Sequence, residues 1–65
     1  MIYFNGQRVP PEKGLTIARL LGLMGREARL TVVTVDDKFV PPAEYNKFIV
    51  NDGAKVAARE LHSGG

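Results

Sequence analysis

The sequence contains no cysteine, which excludes a disulfide framework, a thiolate metal ligand and a thiol nucleophile. It has one histidine, His62, and no pair of His, Asp or Glu residues at ligand spacing on a clear helix face, so no metal centre is expected. Charge of one sign is also scarce. Nine Lys and Arg residues face seven Asp and Glu residues, for a net charge of +2, and the basic positions are scattered along the chain. Nucleic-acid binding calls for clustered bases with interleaved aromatics, so no nucleic-acid partner is expected. The opening "MIYFNGQRV" has no charged segment ahead of a long apolar run, and neither a signal peptide nor a membrane anchor is expected from it. The expected location is cytoplasmic. Internal repeats, linkers and low-complexity stretches are lacking too, and 65 residues suffice for one small domain that buries only ~60% of its unfolded surface.

What is present is a succession of short, well-punctuated elements. "MIYF" is β-branched and aromatic, and Asn5-Gly6 is the dipeptide that tolerates positive φ at both central positions of a tight hairpin turn. "QRV" is the returning strand, stopped by Pro10-Pro11, which cannot donate to a ladder. In "GLTIARLLGLMG" the residues Ile17, Leu20, Leu21 and Met24 recur at the spacing of one helix face. Thr16 is the natural N-cap and Gly25 the C-terminal residue of left-handed conformation, so a helix is expected over about Ile17 to Met24. Its apolar stripe reads as core packing.

"ARLTVVTV" is the strongest strand signal, with β-branched residues from Thr31 to Val35, and its near-continuous apolar character predicts a central position. Asp36-Asp37 form a turn, "KFV" a short partner strand, and Pro41-Pro42 lead into an irregular stretch containing Tyr45. A second turn at Asn51-Asp52-Gly53 delivers the chain into "AKVAAREL". Composition alone favours helix for that last segment. A small mixed sheet with one helix nevertheless needs a strand there, which would put Val56 and Ala58 on the helix side and Ala57, Arg59 and Leu61 on the open side.

The resulting order is hairpin, helix, strand, short strand, irregular segment, final strand. It is an α+β domain of β-grasp (ubiquitin-like) type, a mixed sheet of four or five strands with one main helix packed on one face. Residues 1–61 make the domain and residues 62–65 a flexible Gly-Gly tail. The ending "RELHSGG" admits three readings: a frayed terminus, a cloning remnant, or a carboxylate used chemically. His62 and Ser63 lack an acid to complete a triad and read as spacers. Tyr3, Phe4, Phe39, Tyr45 and Phe48 read as core or sheet residues ahead of a stacking platform.

Taken together, the strand ending in Asn5-Gly6, "GLTIARLL", "VDDKFVPPAEY", "IVNDG" and the closing Gly64-Gly65 resemble the ThiS family of sulfur carrier proteins, within the ThiS/MoaD superfamily. The resemblance covers nearly the whole chain. It implies that a ThiF-like adenylyltransferase uses ATP to join the carboxylate of Gly65 to AMP, and that sulfur then displaces AMP to leave a thiocarboxylate. It also implies that Gly64 and Ser63 are needed for activation, and that a sulfur-donating protein and a thiazole synthase are partners. In the molybdopterin branch the acceptor is instead the catalytic subunit of molybdopterin synthase. On this resemblance the chain is a protein substrate and sulfur donor, not an enzyme, with no permanently bound cofactor. The outward face of the last strand, with Ala57, Arg59 and Leu61, is implied to dock the activating enzyme. This chain has Ala54 where the family often carries an acidic residue, and Arg59 points to a more polar partner. Two other classes remain open: a protein modifier that forms isopeptide bonds through Gly65, and a binding module in which the glycines are incidental and Arg8, Arg19, Arg26, Arg29 and Arg59 form a weak basic face.

Overall fold

The computed structural model describes residues 1–61, and within them the elements follow the order of the sequence signals. Strand β1 (Ile2–Phe4) turns into β2 (Gln7–Val9) through Asn5 and Gly6, with φ of 50° and 81°. Both positive values belong to the tight hairpin turn that Asn-Gly favours. Helix α1 (Ile17–Leu23) follows, capped by the Thr16 hydroxyl, which accepts from the Arg19 amide at 3.1 Å. At its other end Gly25 has φ 70°, the Arg26 amide donates to the Leu21 carbonyl, and the Gly25 amide donates to that of Gly22. This pair of bonds satisfies carbonyls that the helix end would otherwise leave open.

Strand β3 (Thr31–Val35) pairs with β4 (Lys38–Val40) across a turn in which Asp36 and Asp37 have φ of 50° and 69°. The final strand β5 (Lys55–Glu60) lies between β1 and β3, parallel to the first and antiparallel to the second, in a sheet of order β2-β1-β5-β3-β4. This is the expected β-grasp arrangement, with α1 across one face. Seven residues are too few for a helix to persist alone. Ile17, Leu20 and Leu21 hold it by packing into a core with Ile2, Phe4, Val33, Val40 and Val56, all buried. Each such side chain contributes about 1.5–3 kcal/mol by leaving water.

Three expectations need correction. Met24 is the C-cap of α1 and lies one position beyond the helix. Ala28–Leu30 is a 3₁₀ turn and not the start of a strand. There the Leu30 amide and the Thr31 hydroxyl both donate to the Glu27 carbonyl, at 3.0 and 2.6 Å, and hold the chain in the turn that brings it from the helix back to the sheet. Finally, β3 is interior, but the middle strand is β5. The continuous apolar run in β3 has a different cause: Thr31, Val33 and Val35 are buried against the helix side, while Val32 and Thr34 are half-buried on the opposite face. The stretch around Tyr45 contains a further 3₁₀ turn at Pro42–Glu44, and Tyr45 itself is buried, its hydroxyl donating to the Thr31 carbonyl at 2.7 Å.

Candidate functional site

The sequence "KVAARE" has helical propensity, yet it is extended because it has a strand on either side to satisfy its backbone. From Thr31↔Glu60 to Val35↔Val56 the β3 ladder runs unbroken, while the β1 ladder covers only Tyr3↔Lys55 and Phe4↔Val56. Where β1 turns away, the side chain of Asn5 continues the pairing. Its Oδ1 accepts from the Ala58 amide at 2.8 Å and its Nδ2 donates to the Ala58 carbonyl at 3.0 Å. A side-chain amide thus replaces a missing strand residue and keeps the β5 backbone satisfied up to the residue before Arg59.

The end of β5 is anchored in a second way. The Leu61 amide donates to the Leu30 carbonyl at 2.6 Å, and Glu60 accepts from Arg26 Nη1 at 2.8 Å. Arg26 also lies 5.8 Å from the centre of the Phe4 ring, within range of a cation–π attraction. The 3₁₀ turn and the helix end therefore grip the last described residues.

With β5 fixed, its alternation decides which side chains face away from the helix. Val56 is buried and Ala58 half-buried, whereas Ala57, Arg59 and Leu61 are exposed, as the sequence pattern predicted. Register extends this open face across the sheet. Tyr3 stands between Arg8 and Lys55, Ala57 opposes Thr34, which in turn opposes Phe39, and Val32 opposes Arg59. Two shallow grooves of about 360 and 480 Å³ run along it. One is bounded by Tyr3, Thr34, Asp37, Lys55 and Ala57. The other lies at the end of β5, between Asn5, Val32, Arg59 and Leu61.

The structure thus brings together Ala57, Arg59 and Leu61. Ser63, Gly64 and Gly65, with His62, lie outside the described residues. Sequence reasoning missed Tyr3, Arg8, Val32, Lys55 and Phe39 as members of the same face. The alternation of β1 and β2 carried that signal, because Tyr3 falls between buried Ile2 and Phe4, but only the register places Arg8 and Lys55 beside it. Leu61 and Phe39 are the most open of the large apolar residues, at 57% and 61% exposed. Tyr45 and Phe4 are buried in the core.

Among the described residues no group of three or more His, Cys, Asp and Glu side chains could hold a metal ion, and no helix is long and apolar enough to cross a membrane. The face itself holds apolar area, hydroxyls, cations and, at its rim, the carboxylate of Asp37.

No protein-family model matches the sequence, and no curated protein sequence matches it. Among solved structures the chain is similar to the crystal structure of the thiamine biosynthesis protein ThiS from Geobacter metallireducens. The TM-score is 0.78 at 21% identity, over 98% of this chain and 97% of that one. At that identity the likeness is one of fold: the chain adopts the β-grasp fold of a ThiS protein.

Proposed function

We propose that the chain is a sulfur carrier for thiamine thiazole biosynthesis, activated at the carboxylate of Gly65 by an ATP-dependent adenylyltransferase. The observation that carries this reading is the β-grasp likeness to a ThiS protein over 98% of the chain, joined to a sequence in which β5 is followed by Ser63-Gly64-Gly65.

The chemistry follows from the terminal group. A backbone carboxylate, with an ordinary pKa of about 3.5, is ionised near neutral pH and is a poor acyl donor. In the proposed reaction its oxygen attacks the α-phosphorus of ATP and pyrophosphate leaves, giving an acyl adenylate. Hydrosulfide, supplied as such or released by a donor protein, then attacks the carbonyl carbon. A C–S bond forms, the C–O bond to AMP breaks, and AMP departs with the electron pair. Glycine at the last two positions lets an extended chain enter a narrow channel and leaves the carbonyl carbon open to the incoming nucleophile. The adenylyltransferase does the catalysis and the carrier is its macromolecular substrate. Ala57, Arg59 and Leu61 would dock it, and a thiazole synthase would receive the sulfur. A cytoplasmic location, where ATP is available, fits this role.

The test is the intact mass of the protein after incubation with ATP, sulfide and the adenylyltransferase encoded nearest to it, beside a chain lacking Gly65. The expected result is replacement of one oxygen by sulfur in the full chain alone. If an enzyme competent on its own carrier leaves both masses unchanged, the reading fails. A ladder of covalent conjugates on a denaturing gel would replace it with a protein modifier.

A further inference from the structure

Three asparagines occur in the chain, Asn5, Asn46 and Asn51, and all are exposed. Only Asn5 is followed by glycine. Asparagine is thermolabile because the next main-chain nitrogen can attack its side-chain amide carbon. A Cβ on that next residue crowds the approach, as at Lys47 and Asp52, whereas Gly6 has none. The space around Gly6 is open, since a Cβ added there would meet nothing within 4 Å. Among the described residues the Gly6 amide donates no hydrogen bond. Asn5-Gly6 therefore joins an amide electrophile to an uncrowded, uncommitted nitrogen in contact with water.

The fold opposes the reaction between them. Cyclisation requires Asn5 Cγ to swing onto the Gly6 nitrogen, but both polar atoms of the carboxamide are held toward β5. Oδ1 accepts from the Ala58 amide at 2.8 Å and Nδ2 donates to the Ala58 carbonyl at 3.0 Å. The hairpin fixes the Asn5 main chain as well, at φ 50°. The related pair Asp52-Gly53 is closed by other means. Its side chain is an anion at neutral pH, a poor electrophile, paired with the Met1 ammonium, and the Gly53 amide is already donated to the Met1 carbonyl at 2.9 Å.

We propose that Asn5 is a site of spontaneous deamidation gated by its clasp on Ala58, and that conversion releases the clasp irreversibly. When the clasp opens, hydroxide takes the Gly6 amide proton and the nitrogen attacks Asn5 Cγ. An N–C bond forms, the Cγ–Nδ2 bond breaks, and the side-chain nitrogen leaves as ammonia after taking a proton from water. Water then opens the cyclic imide: attack at Cγ gives aspartate, and attack at the main-chain carbonyl gives isoaspartate. The net change is exchange of an amino group for a hydroxyl, with no oxidant or reductant. Neither product can rebuild the clasp. Aspartate has no donor for the Ala58 carbonyl and sets a carboxylate oxygen against it, leaving that carbonyl unpaired on this side. Isoaspartate lengthens the main chain inside a turn that has room for two residues. The edge of β5 ahead of Arg59 is then open toward β1, while the ladder to β3 still holds the other edge. The inference is independent of the sulfur-carrier reading.

The experiment follows the full chain and the peptide Ile2–Val9 at mildly alkaline pH by intact mass, with proteolytic mapping to assign the site and separate aspartate from isoaspartate. The chain is kept folded in buffer or unfolded in guanidinium chloride. The proposal expects Asn5 in the unfolded chain to convert at the rate of the peptide and at least about tenfold faster than Asn46 and Asn51, and to slow at least about tenfold on folding. Chains converted at Asn5, and an Asn5→Asp variant, are then compared with wild type by hydrogen exchange. The Ala58 amide should exchange at least about tenfold faster in both, while the Ala18 amide, which donates to the Tyr45 carbonyl beneath the helix, stays near wild type. Equal conversion in folded and unfolded chains would show that the clasp gates nothing and overturn the proposal. Conversion at Asn5 in the unfolded chain no faster than at Asn46 and Asn51 would remove the site. An Ala58 amide as protected in Asn5→Asp as in wild type would show that a carboxylate keeps the clasp, and the release would fall. The rate comparison uses the unaltered chain, so it decides the gating whether or not the variant folds.

Discussion

Arg26 and Glu60 join the end of the helix to the end of the central strand through a contact of 2.8 Å between Nη1 and Oε1, each side chain being about one-third exposed. The pair spans 34 positions of sequence and closes over the ring of Phe4. Partial exposure leaves water to screen it, so its coupling should be modest, about 0.5–1 kcal/mol. A double-mutant cycle with Arg26→Met and Glu60→Gln, read by urea unfolding, should return that value and a smaller one at high salt. A coupling indistinguishable from zero would mean that the Leu61 to Leu30 backbone bond alone fixes the end of β5.

Asn5 has two tasks that substitution can separate. Its backbone takes the φ of 50° that the hairpin needs, and its side chain clasps both polar groups of Ala58. Asn5→Gly keeps the turn and loses the clasp, which should cost about 1 kcal/mol given that the bonds are near solvent. Asn5→Ala loses both and should cost about 1–2 kcal/mol more, because a Cβ disfavours the left-handed region. Equal unfolding midpoints for Asn5→Gly and wild type would show that water replaces the clasp without loss.

These two residues also mark how far the sequence could be read. The hairpin at Asn5-Gly6, the cap at Thr16 and the turn at Asp36-Asp37 were legible, because each rests on local backbone preference, whereas the strand Lys55–Glu60 was legible only from the place the fold left for it, against its own helical propensity. The 3₁₀ turn at Ala28–Leu30 was not, since it depends on Glu27 accepting from two donors that lie several residues on. The central place of β5 was hidden by the helical propensity of Ala57, Ala58 and Arg59, which pairing on both sides overrides. Ala57, Arg59 and Leu61 could be assigned to one face from period two alone. Arg8, Tyr3 and Lys55 could not be joined to them, because their meeting depends on the register of three strands.

Tyr45 links stability to alkaline pH. Burial pushes its phenol above the ordinary value, against an opposing pull from the Val33 backbone, so the folded protein holds the proton more tightly than the unfolded chain. The stability this supplies is fully present below the unfolded pKa of about 10 and is lost as pH rises through the folded one. Wild type should therefore lose stability above about pH 10 more steeply than Tyr45→Phe does. At neutral pH the Tyr45→Phe variant should be less stable by about 1–2 kcal/mol, because it leaves the Thr31 carbonyl without its buried donor. Parallel stability–pH curves for the two proteins would assign the alkaline loss to other groups.

Leu61 and Gly65 should fail in different ways if the chain is a carrier. Leu61 is exposed on the open face beside Arg59, so Leu61→Asp removes apolar contact and places a charge on the proposed docking face. It should raise the KM of the adenylyltransferase for this protein by about tenfold, the effect of roughly 1.4 kcal/mol of lost binding, with kcat little changed. Gly65→Ala leaves the docking face intact and places a methyl group next to the reacting carbonyl carbon. It should lower kcat sharply with KM near wild type, because the loss is confined to the geometry of reaction. Leu61 lies outside the buried core, so Leu61→Asp should melt within a few degrees of wild type, and the thermal midpoint of Gly65→Ala checks that this variant is folded. Steady-state kinetics with the carrier as the varied substrate separate the two effects, and a kcat defect in Leu61→Asp with unchanged KM would place Leu61 in the path of the tail instead of on the docking face.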